Sequence, residues 1–478
     1  MTATTDLMIA GKPMTGLGAA WDVLNPATED VLARVAGADL DQCDAAVAAA
    51  AQAFDAGVWK DPEHRSAVLA RLADLLEIHA EDLVQLIVAE VGTPVSTARP
   101  MQLGVPIAAL RHFATLAACD RDEELRPDSG PVPSRSFVRR RPVGVVAAVT
   151  AYNYPVLLAA SKIGAALAAG CTAVLMPSPL TPLTTLRLGE LALEAGAPPG
   201  VLNVLAGDVA VARRLTEHPA VRAVSFTGSV EVGRQVMRQA AGTLKRVVLE
   251  LGGKSPALLL PGADLVAAAE AVHLRYLRNA GQGCQSPTRI LVPHRRLPEF
   301  VEISHELYAR VRVGDPTDER VMVGPVISAA HRARVLGFVD EALAGGGTVL
   351  AGGGRPADRR GYFVSPTLIG GVSNAAKISR EEIFGPVAVV LPYSSVDDAI
   401  QIANDSELGL AAAVFGDEDE ALAVADRLEA GTVTINGGGG FRPDAPMQGW
   451  KQSGVGTENG EAGIEEFLAI QHVQVRTE

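Results

Sequence analysis

"GVVAAVTAYNYPVLLAASKIGAALAAGCTAVLM", residues 144–176, is the stretch that decides the fold. It begins with the apolar run GVVAAV (144–149) and ends with TAVLM (172–176), and the residues between predict a helix that begins near Pro155. Strands that are apolar on both faces must be covered on both sides, and a right-handed crossover through one helix returns the chain to the same edge. The stretch therefore predicts two strands of one parallel sheet.

The same alternation continues after residue 176. Three more apolar runs, VLNVL (201–205), AVSF (223–226) and RVVL (246–249), are separated by helical stretches, which predicts a doubly wound α/β domain. A second alternation runs from about residue 256 to about 450 and predicts another α/β unit. Its apolar runs are PALLL, RILV, VAVVLP, AAAVF and TVTI.

Residues outside these two units follow other patterns. Between 62 and 91 the apolar residues are spaced for one helical face, so we expect the first hundred residues to be mainly helical. The Pro-rich segment 125–142 and the tail 467–478 predict extended chain instead. The pattern leaves two alternatives open: the segments pair, within or between subunits, or they form a loose linker and a frayed terminus.

The composition excludes several classes of partner. The chain has 478 residues and a net charge of -13, which disfavours nucleic acid and anionic membranes. No secretory signal pattern is present at the start, and no apolar run is long enough to span a bilayer. The four cysteines are scattered without ligand spacing, so neither a zinc site nor a disulfide framework is indicated. We expect a cytoplasmic protein without a metal.

Two residues stand out as candidates for chemistry. Cys284 lies in NAGQGCQSPTR (279–289), which lacks the apolar neighbours of an ordinary core thiol. Glu250 follows the apolar run RVVL, at the end of a strand where sheets of this kind expose functional groups. The next residues, Gly252 and Gly253, allow another chain or a ligand to approach the backbone closely.

Two further segments offer polar groups at strand ends. Asn153 follows GVVAAV; such a residue is usually a cap or turn, but its amide could also stabilise an oxyanion. After AVSF, Gly228 permits a tight turn and Ser229 is a good N-cap, so the following helix could hold a pyrophosphate. The segment GGKS is not a P-loop, because Val248 stands where that motif needs a glycine.

The motifs NYP, FTGSVEVG, LELGGKSP, GQGC and EEIFGP, in this order and at these separations, resemble the aldehyde dehydrogenase superfamily. The resemblance extends from NPATEDVLARV (25–35) to QSGVGTENGEAGIEEF (452–467). It implies oxidation of a small-molecule aldehyde to a carboxylic acid with NAD or NADP. It also implies a homodimer or homotetramer.

The resemblance assigns roles to five residues. Cys284 matches the nucleophile, whose thiolate adds to the aldehyde and later carries a thioester. Asn153 and the N–H of Cys284 match the oxyanion donors, and Glu250 matches the base that activates water to hydrolyse the thioester. Lys162 and Glu458 match polar residues that order the site or relay protons, or each is only a surface ion-pair partner. Glu250 argues against release of the acyl group to coenzyme A.

Cofactor contacts are implied in the same way. Glu382 matches the carboxylate that holds the nicotinamide ribose, with Phe384 packed beside it. The family holds the pyrophosphate at positions that match Gly228 and Ser229. The remaining cofactor positions implied are Gly233, Met176, Pro177, Ser178, Gly207, Leu251 and Gly252.

The sequence departs from the family at the adenosine ribose. Met176 replaces a usual lysine, and Pro179 replaces a common glutamate. The lost acid would repel a 2′-phosphate and the lost lysine would attract one, so we predict NAD use with weak discrimination against NADP. Met176 also leaves open an alternative, a scaffold or ligand-binding protein with a decayed cofactor site. Arg442, in the glycine-rich loop 436–450, is either a partner for a substrate carboxylate or a solvated loop residue.

The resemblance divides the chain into three parts. A doubly wound parallel-sheet domain that binds the cofactor is expected from residues 1–122 and 144–250. A second α/β domain, residues 251–451, is expected to be catalytic. Residues 123–143 and 452–478 are expected to form a small β arm for oligomerisation.

Overall fold

A computed structural model describes residues 4–128, 132–354 and 360–477. Its strands are β1 (Leu7–Ile9), β2 (Lys12–Met14), β3 (Ala20–Leu24), β4 (Val31–Ala36), β5 (Glu123–Glu124), β6 (Ser134–Pro142), β7 (Val145–Val149), β8 (Thr172–Met176), β9 (Leu202–Val204), β10 (Val221–Thr227), β11 (Arg246–Glu250), β12 (Pro256–Leu259), β13 (Arg289–Pro293), β14 (Thr348–Gly352), β15 (Thr367–Gly370), β16 (Val387–Tyr393), β17 (Leu408–Gly409), β18 (Ala411–Phe415), β19 (Thr432–Ile435), β20 (Trp450–Lys451), β21 (Gly454–Val455) and β22 (Leu468–Arg476).

The helices alternate with these strands over most of the chain. They are α1 (Leu40–Ala56), α2 (Pro62–Ile78), α3 (Ala80–Val91), α4 (Val95–Thr97), α5 (Val105–Ala117), α6 (Pro155–Ala168), α7 (Leu183–Glu194), α8 (Val209–Glu217), α9 (Val230–Ala241), α10 (Leu265–Leu277), α11 (Leu297–Arg310), α12 (Ala329–Ala344), α13 (Lys377–Arg380), α14 (Val396–Asn404), α15 (Glu418–Ala425) and α16 (Gly460–Glu465). A π-helical segment spans Ala98–Gly104, and 3-10 turns span Arg278–Gly281 and His294–Arg296. Among the described residues, no helix is both long and apolar enough to cross a membrane.

The first sheet has the order β2-β1-β9-β8-β7-β10-β11-β21. Its five central strands, β9 to β11, are parallel, and the edge strands β1, β2 and β21 are antiparallel. The chain moves outward from β7 to β9 and then returns to the other side of β7 with β10. This reversal opens a crevice at the carboxyl ends of β7 and β10, where ligands bind in open α/β sheets.

The second sheet has the order β14-β15-β16-β13-β12-β18-β19 and is parallel except for β14. Each sheet has its own cluster of buried apolar side chains. All ten apolar runs singled out in the sequence are strands of one sheet or the other. The predicted α/β class with two parallel sheets is therefore confirmed.

The predicted extended segments pair within the chain. Strand β22 runs antiparallel to β6 from Leu468 opposite Pro142 to Arg476 opposite Ser134, and β5 pairs with the other edge of β6. For the described residues, a loose linker and a frayed terminus are therefore excluded. The short strand β21 adds to the first sheet beside β11, so the segment 452–478 contributes to that sheet as well as to the β arm.

The expectation of a mainly helical N-terminus is wrong for its first part. Strands β1 and β2 extend the first sheet, and β3 pairs with β4 as a separate hairpin. Helices begin only at Leu40. Strands of three residues, such as β1 and β2, are too short to show a periodic pattern in the sequence. They are stable because they pair with the edge of a larger sheet.

Candidate active site

Asn153 lies in the turn from β7 to α6, at the crevice of the first sheet. Pro155 fixes the first turn of α6, and the carbonyl of Asn153 accepts hydrogen bonds from Gln102 Nε2 at 3.0 Å and Asn279 Nδ2 at 2.9 Å. Its own Nδ2 donates to the carbonyl of Gln282 at 3.0 Å. The buried amide of Asn153 is thus held by a residue that lies two positions before Cys284, and its second N–H remains available.

The loop that carries Cys284 has an unusual backbone. Asn279 and Ala280 are left-handed, with φ of 52° and 53°, and Gly281 follows with φ of 76°. Such conformations in non-glycine residues cost on the order of 1–3 kcal/mol each and are concentrated at functional sites. A Cβ atom at Gly281 would lie 2.0 Å from the carbonyl oxygen of Gly385, so only glycine fits there. Contacts with the surrounding chain therefore hold the loop in this strained conformation.

Cys284 itself is half-buried. Burial raises the pKa of its thiol to about 12, and the charges of Glu250 and Glu382 contribute in the same direction. Backbone N–H groups of Gln285 and Cys284 act in the opposite direction, because they favour the thiolate. The thiol is therefore protonated at neutral pH, with two carboxyl groups close enough to affect it.

Glu250 is the last residue of β11, and the two glycines that soon follow it pack against the loop of Cys284 and against Glu382. A Cβ atom at Gly253 would lie 2.5 Å from the carbonyl of Cys284, and one at Gly252 would collide with the carboxylate of Glu382. The expected close approach at these glycines is therefore present. It brings Cys284 and Glu382 to the end of β11.

The carboxyl group of Glu250 is buried, and neither of its oxygens has a hydrogen-bond partner among the described residues. Burial raises its pKa well above the usual range; nearby Glu458 raises it further, and Lys162 lowers it. A buried polar atom without a partner is rare and calls for an explanation. A raised pKa also suits a general base, because a carboxylate with a higher pKa binds the proton that it accepts more strongly.

Lys162 and Glu458 form a buried ion pair. Lys162 Nζ lies 2.5 Å from Glu458 Oε1 and 3.1 Å from Ser225 Oγ. Their side chains are 0% and 4% exposed, so the alternative of surface ion-pair partners is wrong. The pair lies close enough to Glu250 for both charges to affect its pKa.

Replacing Lys162 with methionine should lower the free energy of unfolding by about 3–5 kcal/mol at pH 7, because it leaves the buried carboxylate of Glu458 without its cation. Urea unfolding measures this loss. The matched control is the double variant Lys162→Met with Glu458→Met, which removes both charges and should regain most of the stability. A double variant as unstable as the single one would contradict the assigned pairing.

Glu382 and Phe384 lie in a second cluster beside Gly252. The backbone N–H of Gly253 donates to Glu382 Oε1 at 3.2 Å, and burial raises the pKa of Glu382 to about 7. The ring of Phe384 lies 5.8 Å from that of Tyr152, nearly perpendicular to it. The carbonyl of Phe384 is held by His331 Nε2 at 2.6 Å.

The turn and the capped helix start predicted after β10 also form. Ser229 caps α9, its Oγ accepting from the N–H of Val232 at 3.4 Å, and Gly228 donates its N–H to the carbonyl of Glu250 at 3.1 Å. Gly233 packs on Leu251, because a Cβ atom there would lie 2.6 Å from the leucine side chain. The free N–H groups of α9 therefore begin beside the end of β11.

The end of β8 carries no amine. Met176 and Pro177 are buried, and the Met176 methyl lies 3.2 Å from the place of a Cβ atom on Gly207. Ser178 Oγ accepts from the N–H of Leu180 at 3.3 Å. The carbonyl of Pro179 accepts from Trp21 Nε1 at 2.8 Å, which ties β3 to this loop.

Several residues of this region were missed by sequence reasoning. Lys254 is buried with no hydrogen-bond partner for its Nζ among the described residues, and burial lowers its pKa to about 7. Ser453 donates to the carbonyl of Gly252 at 2.8 Å, and Gln102 holds Asn153. Lys254 could have been noticed beside Gly252 and Gly253. Nothing in the sequence signals the other two.

Arg442 lies outside this cluster. It is exposed, and its guanidinium is paired with Asp444, with Nε 3.0 Å from Oδ1. The structure therefore favours the solvated loop residue over the partner for a substrate carboxylate.

A doubly wound sheet with a half-buried cysteine near two buried carboxyl groups is typical of α/β enzymes. The sequence model of the aldehyde dehydrogenase family matches residues 15–473. Geranial dehydrogenase of Castellaniella defragrans is 42% identical over 95% of this chain and 94% of that protein. A mitochondrial aldehyde dehydrogenase of Leishmania tarentolae is 40% identical over 96% of this chain and 93% of that protein.

Solved structures agree with these relatives. The NAD+ complex of aldehyde dehydrogenase from Bacillus cereus superimposes with a TM-score of 0.96 at 36% identity, over 99% of this chain and 97% of that one. The chain therefore belongs to the aldehyde dehydrogenase family.

Proposed function

We propose that the protein oxidises an aldehyde to a carboxylic acid with NAD or NADP, through a covalent thiohemiacetal and then a thioester on Cys284. One observation carries the proposal. The amide of Asn153, the thiol of Cys284 and the unpartnered carboxyl of Glu250 belong to one buried neighbourhood at the carboxyl edge of the first sheet. Nucleophile, oxyanion donor and base are the groups that this chemistry needs.

The first step is addition of sulfur to the carbonyl carbon. The thiol proton must leave, and of the two carboxylates whose charges affect the sulfur, Glu250 is the one with both oxygens free of hydrogen bonds among the described residues. As the C–S bond forms, the carbonyl π electrons move to oxygen. Asn153 Nδ2 and the backbone N–H of Cys284 would stabilise that oxyanion, an effect worth about 10²–10³ in rate for one such donor. NAD(P)+, when bound, supplies the hydride acceptor.

The second step releases the acid. After the carbon has lost its hydride, the oxyanion collapses to a thioester on Cys284. Once Glu250 has passed the thiol proton to solvent, it removes a proton from water, and the hydroxide oxygen bonds to the acyl carbon. The C–S bond then breaks to give the carboxylic acid and the thiolate of Cys284, which takes up the proton held by Glu250. The buried pair Lys162 and Glu458 lies close enough to Glu250 for both charges to affect its affinity for a proton.

The chain's own residues fit a dinucleotide at two of three points. Glu382 has a carboxylate oxygen beyond the one held by Gly253, which suits ribose hydroxyls, and the α9 N-terminus suits a pyrophosphate. The adenosine end is different, since Met176 offers no donor. The solved NAD+ complex of the Bacillus cereus relative supports NAD. We therefore propose NAD, with weak discrimination against NADP.

A panel of aldehydes assayed with each cofactor, read by absorbance of the reduced form, tests the function. We expect turnover with both cofactors, and dissociation constants for NAD and NADP within about tenfold of each other, because Met176 and Pro179 remove opposing charges. NADP binding more than tenfold tighter than NAD would refute the preference. No turnover with any aldehyde and no cofactor binding would favour the scaffold alternative, for which the missing lysine is the one supporting observation.

We also propose the three-part division of the chain, with the arm as an assembly surface. In the three-stranded sheet of β5, β6 and β22, the strand β22 is an edge, and its residues Ile470 and Val475 are exposed. Such an edge pairs readily with another chain. A homodimer or homotetramer would bury this edge. Light scattering during gel filtration would measure the mass of the assembly.

A further inference from the structure

A closed ring of hydrogen bonds joins Asn153 to the loop that carries Cys284. Gln102 Nε2 donates to Thr93 Oγ1 at 2.7 Å, and Thr93 Oγ1 donates to Asn279 Oδ1 at 2.6 Å. Asn279 Nδ2 and Gln102 Nε2 both donate to the main-chain carbonyl of Asn153, at 2.9 Å and 3.0 Å. The four residues of the ring are buried, and none is more than 4% exposed. Bulk water therefore does not compete for these bonds.

The direction of each bond in the ring is fixed by chemistry. A main-chain carbonyl can only accept, so the amide nitrogens of Gln102 and Asn279, and not their oxygens, must face Asn153. Both N–H groups of Gln102 are then committed to the ring. The amide oxygen of Asn279 accepts from the Thr93 hydroxyl, which in turn accepts from Gln102. Each side chain thus has a single orientation that closes the ring.

The ring connects the two sheets of the molecule. Asn153 follows β7 of the first sheet, whereas Asn279 lies between β12 and β13 of the second. The alignment of the amide with the nucleophile loop therefore depends on non-covalent contacts. Asn153 Nδ2 adds a bond to the carbonyl of Gln282, in the same loop as Asn279, at 3.0 Å. The ring holds the main chain of Asn153, from which this side chain extends.

Gln102 and Thr93 come from the segment that follows α3. Gln102 lies in the π-helical segment Ala98–Gly104, a conformation that is rare and is frequently found at functional sites. Asn279, their partner in the ring, has a left-handed backbone with φ of 52°, which is unfavourable for a residue with a side chain. Its bonds to Thr93 and Asn153 hold Asn279 in that conformation.

Packing alone does not explain an amide at position 102. Gln102 Oε1 is buried and has no hydrogen-bond partner among the described residues, which is unfavourable. An apolar side chain of the same length would fill the space without that cost. The two N–H groups of Gln102 are what an apolar side chain lacks, and they hold Thr93 and Asn153 in place. Gln102 therefore contributes orientation rather than stability.

We propose that Gln102 and Thr93 are positioning residues for the reaction: their ring with Asn279 holds the amide of Asn153 where it can donate to the oxyanion formed at Cys284. This inference rests on the proposed function and adds two residues that act through Asn153. Oxyanion stabilisation requires a donor that is already at hydrogen-bond distance before charge develops, so a displaced amide loses most of its effect.

The test is a double-mutant cycle between Gln102 and Asn153. Gln102→Met keeps the length of the side chain and removes both donors. It should lower kcat about tenfold or more, while KM for the aldehyde and Kd for NAD stay within about twofold of the wild type. Asn153→Ala should lower kcat by about 10²–10³. In the Asn153→Ala protein, Gln102→Met should lower kcat less than about twofold further, because the donor that it positions is absent.

Thr93→Val and Thr172→Val are a matched pair, because each removes one buried hydroxyl and keeps the shape. Thr93→Val opens the ring and should lower kcat about threefold or more, and it takes the place of Gln102→Met in the cycle if that variant does not fold. Thr172 lies at the start of β8, the opposite edge of the sheet from Asn153, and donates to the carbonyl of Ala50 at 2.9 Å. Its loss should leave kcat within about twofold of the wild type.

Two results would overturn the inference. The first is a loss of less than about twofold in kcat on opening the ring in the wild type. The second is the same factor of loss in the wild type and in Asn153→Ala, since a general structural defect lowers both equally.

Hydrogen exchange separates this inference from the proposed function, because it requires no turnover. Mass spectrometry should show that the main-chain amides of residues 279–286 exchange about tenfold faster or more in Gln102→Met, and at the wild-type rate in Thr172→Val. If exchange responds in this way but the wild type oxidises no aldehyde, the proposed function fails and the holding of Asn153 by the ring stands. If the wild type oxidises aldehydes but neither exchange nor kcat responds, the positioning role fails and the function stands.

Discussion

Replacing Cys284 with alanine should lower the rate of NADH formation by about 10⁴-fold or more at saturating aldehyde, because no covalent intermediate can form without the sulfur. The other thiols cannot substitute for it. Cys43 and Cys171 are both buried in the apolar cluster of the first sheet, and burial raises the pKa of each thiol. Absorbance of the reduced cofactor measures the loss.

The matched control is Cys119→Ala. Cys119 is the exposed free cysteine, and its thiol donates to the carbonyl of Thr115 at 3.5 Å, so its loss should leave turnover within about twofold of the wild type. A Cys284→Ala protein that binds NAD as the wild type does but forms no NADH separates loss of chemistry from loss of fold. Retention of a tenth of the activity would show that sulfur at 284 is not the nucleophile.

The sequence predicted the frame of the site because strands and their ends are local features. GVVAAV and RVVL became β7 and β11, so Asn153 and Glu250 were expected at one edge of the sheet. The connection to Cys284 was not readable in the same way. It depends on hydrogen bonds that join Asn153 to Gln102 and to Asn279 and Gln282 of the Cys284 loop. These three segments are far apart in the chain and meet only when it is folded. Periodicity carries no information about such contacts.

The burial of charged residues and the identity of their ion-pair partners also could not be predicted from the sequence. Lys162 and Glu458 are 296 residues apart, and the sequence left open whether they lie buried or at the surface. Arg442 stood in a loop and attracted the hypothesis of a substrate contact, yet Asp444 two residues later neutralises it. The role of a charged residue depends on its partner, and tertiary packing determines which partner it has.

Replacing Glu250 with glutamine should slow steady-state turnover by about 10²–10⁴-fold, the usual contribution of a general base. Glutamine keeps the shape but cannot accept a proton from water, so thioester hydrolysis should become rate-limiting. The measurement is rapid mixing with excess NAD and aldehyde: a burst of NADH equivalent to the enzyme should precede a slow phase. Mass spectrometry of the quenched protein should find the acyl group on Cys284. Because Glu250 is also proposed to take the thiol proton, the burst itself should be slower than in the wild type.

Stability gives an independent check on Glu250, because its pKa is raised in the folded state. Above the pKa of the unfolded chain, the folded protein retains a proton that the unfolded chain has lost, so the wild type loses stability as pH rises through this window. Glutamine does not titrate. The difference in melting temperature between Glu250→Gln and the wild type, measured from pH 4.5 to pH 8, should therefore shift in favour of the variant as pH rises. A variant that instead loses ground with rising pH would mean that the carboxylate is stabilised as an anion, and Glu250 would then be a poor base.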